Sequence, residues 1–357
     1  MTKRVCIKIG SNVLTEDSGL LDISRIAHIV RQIKSLYDQG IEVFLISSGA
    51  VAAGRRFIEF DKKADIVSQR QVCSAVGQVH LINLYQRLFS EYGITCSQVL
   101  VTRHDFKDRT HYLNMRNALT AMSSHKILPI INENDTVAVT ELMFTDNDEL
   151  AGMLSTMLNA DKLIILSNID GLYSGPPDHP ESELISEINA DNDDFSHVVS
   201  TSKSSFGRGG MHTKYRISCE TAKSGTDVYI ANGRKKNIVC DIVAKKPVLR
   251  TRFTASNEAK SRLKNWIQSS KGYAKAKVKI DSGAEKALLS DKANSLLLVG
   301  VTEIDGSFKR GDIIEVVNER NHLIAIGSAG ISSTTAAKHI GKRYSHALIH
   351  YDYLCLT

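Results

Sequence analysis

The sequence predicts an α/β chain, a three-layer sandwich around a mostly parallel open sheet, with a small, mostly β C-terminal domain. Two observations carry this reading. In the first half, short apolar runs of strand length alternate with amphipathic helical stretches, the pattern of parallel strands covered on both faces by crossover helices. After about Phe253 the pattern changes to short strand-like runs punctuated by Gly306, Gly311 and Gly327. The division that follows is residues 1–253, a basic linker over 254–273, and a second domain over 274–357.

The elements read in order. Val5–Gly10 is an apolar strand ending in glycine. Asp22 is placed to cap a helix in which Ile23, Ile26, Ile29, Val30, Ile33 and Leu36 recur at helical spacing, and Gly40 ends it. Val43–Ile46 is a second buried strand running into Ser47-Ser48-Gly49. A long helix is expected from about Asp65 to Tyr92, a strand around Ser97–Val101, a helix near Tyr112–Ser123 and a strand over Ile127–Ile131. Asp148–Asn159 reads as helix and Lys162–Leu166 as another buried strand. In the C-terminal part the expected strands are Ala276–Ile280, Ser295–Val299, Ile313–Val317 and Leu323–Ile326.

Length and composition bound the function. The chain has 357 residues, 42% of them hydrophobic and 24% charged, which is ordinary for a globular protein with a sizeable core. No run approaches the roughly 18 apolar residues of a membrane-spanning helix. The opening MTKRVCIKIG has too short an apolar stretch for a signal peptide. Six scattered cysteines without a CxxC pair fit reduced thiols in the cytoplasm.

The formal net charge of +6 is uneven, because eleven Lys/Arg face the single acid Glu258 between Lys245 and Lys279. Such a strip suits RNA or another polyanion, but a solvated linker and helix face is the preferred reading. Residues 274–357 hold eleven Lys/Arg against nine Asp/Glu, so RNA binding is not expected as the primary role.

Polar loops stand where the predicted strands end: Gly10-Ser11-Asn12, Ser47-Ser48-Gly49, Asn132-Glu133-Asn134-Asp135 and Ser167-Asn168. Open parallel sheets hold ligands at the carboxyl ends of their strands, so these loops should converge on one site. Lys8 at a strand end, followed by Gly10, supplies an ammonium and backbone donors for a phosphate. Taken alone, a strand-end lysine facing solvent is the preferred reading. Gly207–Lys214 is a glycine-rich loop closing on Lys214 at a helix start, without the GxxxxGK[ST] pattern of a P-loop. Asp146-Asn147-Asp148 opens a helix, where carboxylates serve as caps or organise lysines or Mg²⁺. Asp178–Asp194 holds seven acids and no Lys or Arg, and Ser200–Gly210 is rich in Ser and Gly. Together they read as a long mobile segment beside the site, of the kind that forms lids. None of the twelve histidines shows a metal-ligand spacing, so no metal ligands are assigned.

In this order, the motifs Lys8-Ile9-Gly10-Ser11, Ser47–Arg55, Ile131–Asp135, Asp146-Asn147-Asp148 and Gly209–Lys214 resemble the glutamate 5-kinases of the amino-acid kinase family. The resemblance covers nearly the whole chain. It continues from about residue 274 into a PUA-like domain through Val278–Ala284 and Gly306–Asp312. It implies the amino-acid kinase fold and ATP-dependent, Mg²⁺-assisted phosphorylation of the γ-carboxylate of L-glutamate, the first step of proline biosynthesis. Lys8 and Lys214 match the family's phosphate-contacting lysines, and Asp148 the carboxylate that orients them. Ser48, Asp135 and Asn147 match glutamate-binding positions, with Asn134 nearby. The nucleotide-binding segments match Lys8, Gly10 and Ser11, Ser167 and Asn168, and Arg208, Gly209, Gly210, Met211, His212, Thr213 and Lys214.

The chain departs from the family pattern at Asn168, where an acid is familiar, and at Arg208, where a small residue is common. The resemblance also implies feedback inhibition by proline, with Glu141 as a regulatory residue. It implies hand-over of product to glutamate-5-semialdehyde dehydrogenase, and a homo-oligomer, dimer or tetramer. A related kinase acting on another carboxylate, on carbamate or on UMP is the competing reading, and Asn132–Asp135 argues against it.

Overall fold

The computed structural model describes residues 3–60, 65–107, 109–138, 144, 146–175, 179–195, 210–256, 267, 274–290 and 294–356. The chain divides into two compact units, one of residues 1–105 and 114–259, the other of 106–113 and 260–357.

The first unit is built on an eight-stranded sheet. Its strands are β1 (Arg4–Ile9), β2 (Glu42–Ser47), β3 (Cys96–Val101), β4 (Leu128–Glu133), β5 (Lys162–Ser167), β8 (Glu187–Asn189), β9 (Asp227–Asn232) and β10 (Thr251–Thr254). They lie in the order β3-β4-β2-β1-β5-β9-β10-β8. β10 runs antiparallel to β9, and the other neighbours are parallel. A separate hairpin pairs β6 (Leu172–Tyr173) with β7 (Leu184–Ile185).

The helices are α1 (Ser11–Leu14), α2 (Ile23–Asp38), α3 (Ala50–Arg55), α4 (Ile66–Ser90), α5 (His104–Lys107), α6 (Arg109–Ser124), α7 (Asn147–Leu158), α8 (Met211–Lys223) and α9 (Ile238–Val243). Asp22 caps α2 as the sequence requires, its side chain accepting the Arg25 N–H, and Asp65 caps α4 through the Ser68 N–H. Gly40 ends the first of these helices at φ +73°, a left-handed turn that suits glycine.

The pleat decides what each face carries, because successive strand side chains point to opposite sides. Val5, Ile7 and Ile9 of β1 join Val43 and Leu45 of β2 against Ile26, Ile29 and Ile33 of α2, Leu81 and Tyr85 of α4, and Ile238 and Ile242 of α9. Each aliphatic side chain so buried contributes about 1.5–3 kcal/mol. Cys6 and Lys8 alternate to the other face, where the Cys6 thiol meets Ser155 of α7. That parity sends Lys8 toward the start of α7.

The second sheet belongs to the C-terminal unit. Its strands are β11 (Ala276–Ile280), β12 (Val301–Gly306), β13 (Ile313–Val317), β14 (Leu323–Ser328) and β15 (Leu354–Leu356), in the order β12-β11-β13-β14-β15. α10 (Ser282–Leu288) and α11 (Ser333–Ala337) accompany it, around a core that includes Val278, Ile280, Leu298, Val316 and Leu348.

Two expectations are corrected. Ser295–Val299 is not a strand: Leu296 makes an isolated bridge to Ile349, Leu298–Gly300 is a 3₁₀ turn, and the strand begins at Val301. The acidic stretch is also more ordered than a mobile loop, because Glu187–Asn189 adds to the sheet beside β10 and buries Ile188 completely. Ser196–Gly209, the core of the expected lid, lies outside the described residues.

Within the basic stretch, Lys246 pairs with Asp241, Arg252 with Asp227 and Glu187, Lys275 with Asp312, and Lys279 with Glu303. These four cations are matched inside the chain, while Lys260, Arg262, Lys264 and Lys271 lie outside the described residues.

Candidate active site

The carboxyl ends of β1, β2 and β4 lie side by side, with Lys8 opposite Ile46 and Ile46 opposite Ile131 in register. The segment after β1 is tied to β5 by the Gly10 N–H, which donates to the Leu166 carbonyl at 3.1 Å. A Cβ at residue 10 would stand 3.1 Å from that carbonyl oxygen and 3.7 Å from Lys8 Nζ, so glycine permits the close approach.

Asp146 caps α7, its Oδ1 accepting the N–H groups of Asp148 at 2.9 Å and Glu149 at 3.0 Å. This fixes Asp148 in the first helical turn, where the aligned backbone dipoles favour a carboxylate. Lys8 Nζ stands 2.5 Å from Asp148 Oδ1, and Lys214 Nζ stands 2.6 Å from Asp148 Oδ2. Asp148 is fully buried and the two lysine side chains are 7% and 13% exposed. A carboxylate withdrawn from water resists ionising. Here the two ammonium groups outweigh that burial and hold Asp148 well below the usual carboxylate range. Reciprocally, Asp148 outweighs the burial of Lys214 and raises its pKa. Asp146, buried and facing the Asp148 charge, is pushed up to about 6.

Lys214 lies one turn into α8, which starts at Gly210 without a side-chain cap. The first N–H groups of a helix have no intrahelical acceptor, so residues at this end offer donors to an oxyanion. Met211, His212 and Thr213 form that turn. Ser167 ends β5, where its carbonyl accepts the Gly233 N–H and its hydroxyl donates to exposed Asn168 at 3.4 Å.

A second polar cluster adjoins the lysines through the same helix start. Asn147 Nδ2 donates to Ser48 Oγ and to Asn132 Oδ1, each at 3.0 Å. Asn132 Nδ2 in turn donates to Gln78 Oε1 at 3.1 Å. Gly49, at φ +103°, makes the turn from β2 into α3 that presents Ser48. Asp135 is held by Arg70 Nη2 at 2.9 Å and by the Ser74 hydroxyl at 3.3 Å. Asn134 continues this loop, its N–H donating to the Val101 carbonyl. Buried Glu133 accepts the Phe144 N–H at 2.8 Å, and burial together with the Asp135 charge pushes it up to about 7.

Thus Lys8, Lys214 and Asp148 meet directly, and Ser48 and Asn147 meet directly. Glu141, Arg208 and Gly209 lie outside the described residues. Three contributors escaped the sequence reading: Arg70, Ser74 and Gln78. Their spacing of four along α4 places them on one helical stripe, a polar line on the side of the helix that is buried, where Ser74 and Gln78 are 4% and 7% exposed, and that periodicity was the available signal. The N-cap role of Asp146 was legible, whereas its unpartnered Oδ2 was not.

Comparison with known proteins identifies the family. The sequence profile of the Amino acid kinase family matches residues 3–232, and that of the PUA domain matches residues 276–351. The chain is 47% identical over 352 residues to the glutamate 5-kinase of Bacteroides thetaiotaomicron, covering 98% of both chains. It is 43% identical over 356 residues to the glutamate 5-kinase of Chlorobaculum tepidum, covering 99% of this chain and 98% of that one. The carbamate kinase of Giardia lamblia bound to AMP-PNP superposes with a TM-score of 0.53 at 14% identity, over 70% of this chain and 98% of that chain, a likeness of fold alone. The chain belongs to the amino acid kinase family, among its glutamate 5-kinases, and carries a C-terminal PUA domain.

Proposed function

We propose that the chain transfers the γ-phosphoryl group of ATP to the γ-carboxylate of L-glutamate, giving L-glutamyl 5-phosphate. The observation that carries this reading is buried Asp148 held between Lys8 and Lys214. The names of the curated relatives supply the acceptor.

A γ-carboxylate ionises near pH 4.3, so at neutral pH it is already a nucleophile and no general base is needed. The task is to bring two anions together and to stabilise charge on the phosphoryl group in flight. Lys8, Lys214 and the Gly10–Ser11 backbone meet that charge. Asp148 acts as a positioning residue that aims both ammonium groups, and its charge raises the pKa of Lys214. Ser167, Asn168 and Arg208–Thr213 receive the nucleotide. Mg²⁺ arrives with ATP as part of the substrate and screens its β- and γ-phosphates. Asp146 Oδ2, a buried acceptor with no hydrogen-bond partner among the described residues, suits that ion. On the acceptor side, Ser48 and Asn147 hydrogen-bond the glutamate carboxylates, with Asn134 nearby, and Asp135 receives the ammonium beside Arg70.

The same reading extends to the context of the enzyme. The product is a reactive acyl phosphate, which suits transfer to glutamate-5-semialdehyde dehydrogenase in proline synthesis in the cytoplasm. Inhibition by proline, with Glu141 taking part, belongs to this proposal. So does the division into a kinase domain (1–253), a linker (254–273) and a PUA-like domain (274–357). A homo-oligomer fits the apolar surface of α4, where Ile66 is 82% and Val79 56% exposed. Among the described residues, no helix is long and apolar enough to cross a membrane.

ADP release by the purified protein with MgATP tests the acceptor. Release should depend on L-glutamate and not on N-acetylglutamate, carbamate or UMP. Turnover with one of those three in place of glutamate would move the chain to a sister activity.

A further inference from the structure

On the sheet face opposite α7, helices α2 and α9 border a pocket of about 340 Å³ whose walls include His28, Arg31, Gln32, Asp241 and Lys246. The acceptors of these walls are used inside the protein. Gln32, 3% exposed, accepts the Val239 N–H at 2.9 Å through Oε1. The Gln32 carbonyl accepts the Cys240 thiol at 3.6 Å, and Asp241 pairs with Lys246 at 3.1 Å. His28 Nδ1 lies 3.3 Å from Arg31 Nη2.

Two donors of the same walls, Gln32 Nε2 and His28 Nε2, are not matched among the described residues. Since Gln32 Oε1 is fixed as the acceptor, Nε2 carries two hydrogens, and it is buried with no partner among the described residues. Arginine only donates, so His28 Nδ1 accepts from Arg31 and the ring proton belongs on Nε2. That atom is likewise buried and unpartnered. Burial first, then the charges of Arg31, Arg25 and Lys236, lower the His28 pKa and keep the ring neutral. Buried donors without an acceptor are rare in folded proteins, because the hydration they lose is not replaced. Arg31 is exposed and makes no ion pair among the described residues.

We infer that this pocket binds a small oxyanion, the phosphate or carboxylate group of a metabolite, on Gln32 Nε2 and His28 Nε2, with Arg31 supplying charge. An acceptor oxygen is what both donors lack, and a charged donor beside two neutral ones makes the bond stronger than neutral pairing alone. Neither nitrogen is open to solvent in this conformation, so seating the anion includes a small rotation of the two side chains. The site is separate from the catalytic lysines, which project from the other face of the sheet.

Titration calorimetry of the full-length chain, with inorganic phosphate and separately with succinate, tests the inference and distinguishes the two chemical sources. At least one of the anions should bind, with affinity weakened about tenfold or more in Arg31→Ala and in Gln32→Leu. Lys214→Ala, which removes a catalytic phosphate contact, should leave this binding in place. No binding of either anion, or binding that Arg31→Ala does not change, overturns the inference. Binding confined to the site that Lys214→Ala removes also overturns it, by assigning the ion to the catalytic centre. Arg31 lies on the surface, so its variant decides the matter even where Gln32→Leu does not fold.

Discussion

Asp148 and Lys214, 66 residues apart in sequence, meet at 2.6 Å with the carboxylate wholly out of water. The second oxygen of Asp148 takes Lys8, so one buried acid fixes two cations delivered by different elements. Removing either lysine should therefore act on the transition state. Lys8→Ala and Lys214→Ala are each expected to lower kcat by roughly 10²-fold or more, measured at saturating glutamate and ATP. Normal turnover in either variant would remove that lysine from the mechanism.

Asp148→Asn leaves two buried ammonium groups without their counter-charge. Breaking a buried ion cluster by removing one member costs about 3–5 kcal/mol, so the variant should unfold at lower denaturant concentration as well as turning over slowly. Equal unfolding midpoints for the two proteins would show that water already screens this cluster.

On the acceptor side the effects should fall on KM. Asp135→Asn removes the charge that Arg70 and the substrate ammonium share, and Ser48→Ala removes the Asn147 partner. Both should raise the KM for glutamate about tenfold or more while kcat changes much less. An unchanged KM in Asp135→Asn places the ammonium elsewhere.

Glu133 gives a pH dependence of defined sign. In the folded chain it holds its proton up to about pH 7, against an ordinary value of 4.5. Between those values the folded state binds more protons than the unfolded chain, so this residue lowers stability as pH rises. Glu133→Gln keeps an acceptor for the Phe144 N–H and abolishes the titration. Its urea midpoint should exceed that of the parent at pH 8, and the gap should close by pH 5. A gap that is the same at both pH values contradicts the assignment.

Ser48 owes its place to a contact between backbones. A Cβ on Gly77 of α4 would stand 1.8 Å from the Ala50 carbonyl oxygen and 2.4 Å from the Gly54 nitrogen of α3. Gly77→Ala must push α3 away, and overpacking of this kind costs about 1–3 kcal/mol or more. The variant should melt lower and also show a raised KM for glutamate, since α3 follows directly from Ser48 and Gly49. A lower melting temperature with an unchanged KM would separate the seam from the site.

Much of this arrangement was legible in the sequence, for reasons that differ by element. The strands β1, β2 and β5 announce themselves as apolar runs, and Asp22 and Asp65 cap their helices as their side chains allow. Lys8 stood out by its position at a strand's carboxyl end. Lys162, equally buried, begins its strand instead and meets Asp227 and the Tyr229 hydroxyl, away from the loops that form the site.

What local pattern does not carry is partnership across the chain. Nothing near Asp135 in sequence points to Arg70, which arrives from α4 through packing. The same holds for Glu187–Asn189, an unremarkable acidic stretch that becomes a strand by pairing with β10. In the C-terminal domain, apolar Leu296–Val299 has strand composition, yet the ladder begins at Val301 because β-propensity reflects neighbours more than intrinsic backbone preference.

The most direct test of the account is hydroxylamine trapping of the acyl phosphate. The purified protein is incubated with MgATP, L-glutamate and hydroxylamine, alongside reactions with aspartate, with no acceptor, and with the Lys214→Ala variant. The account predicts hydroxamate that requires glutamate and disappears in the variant. Folded protein that binds ATP and yields no glutamate-dependent hydroxamate, or a Lys214→Ala protein that yields as much as the parent, would contradict it.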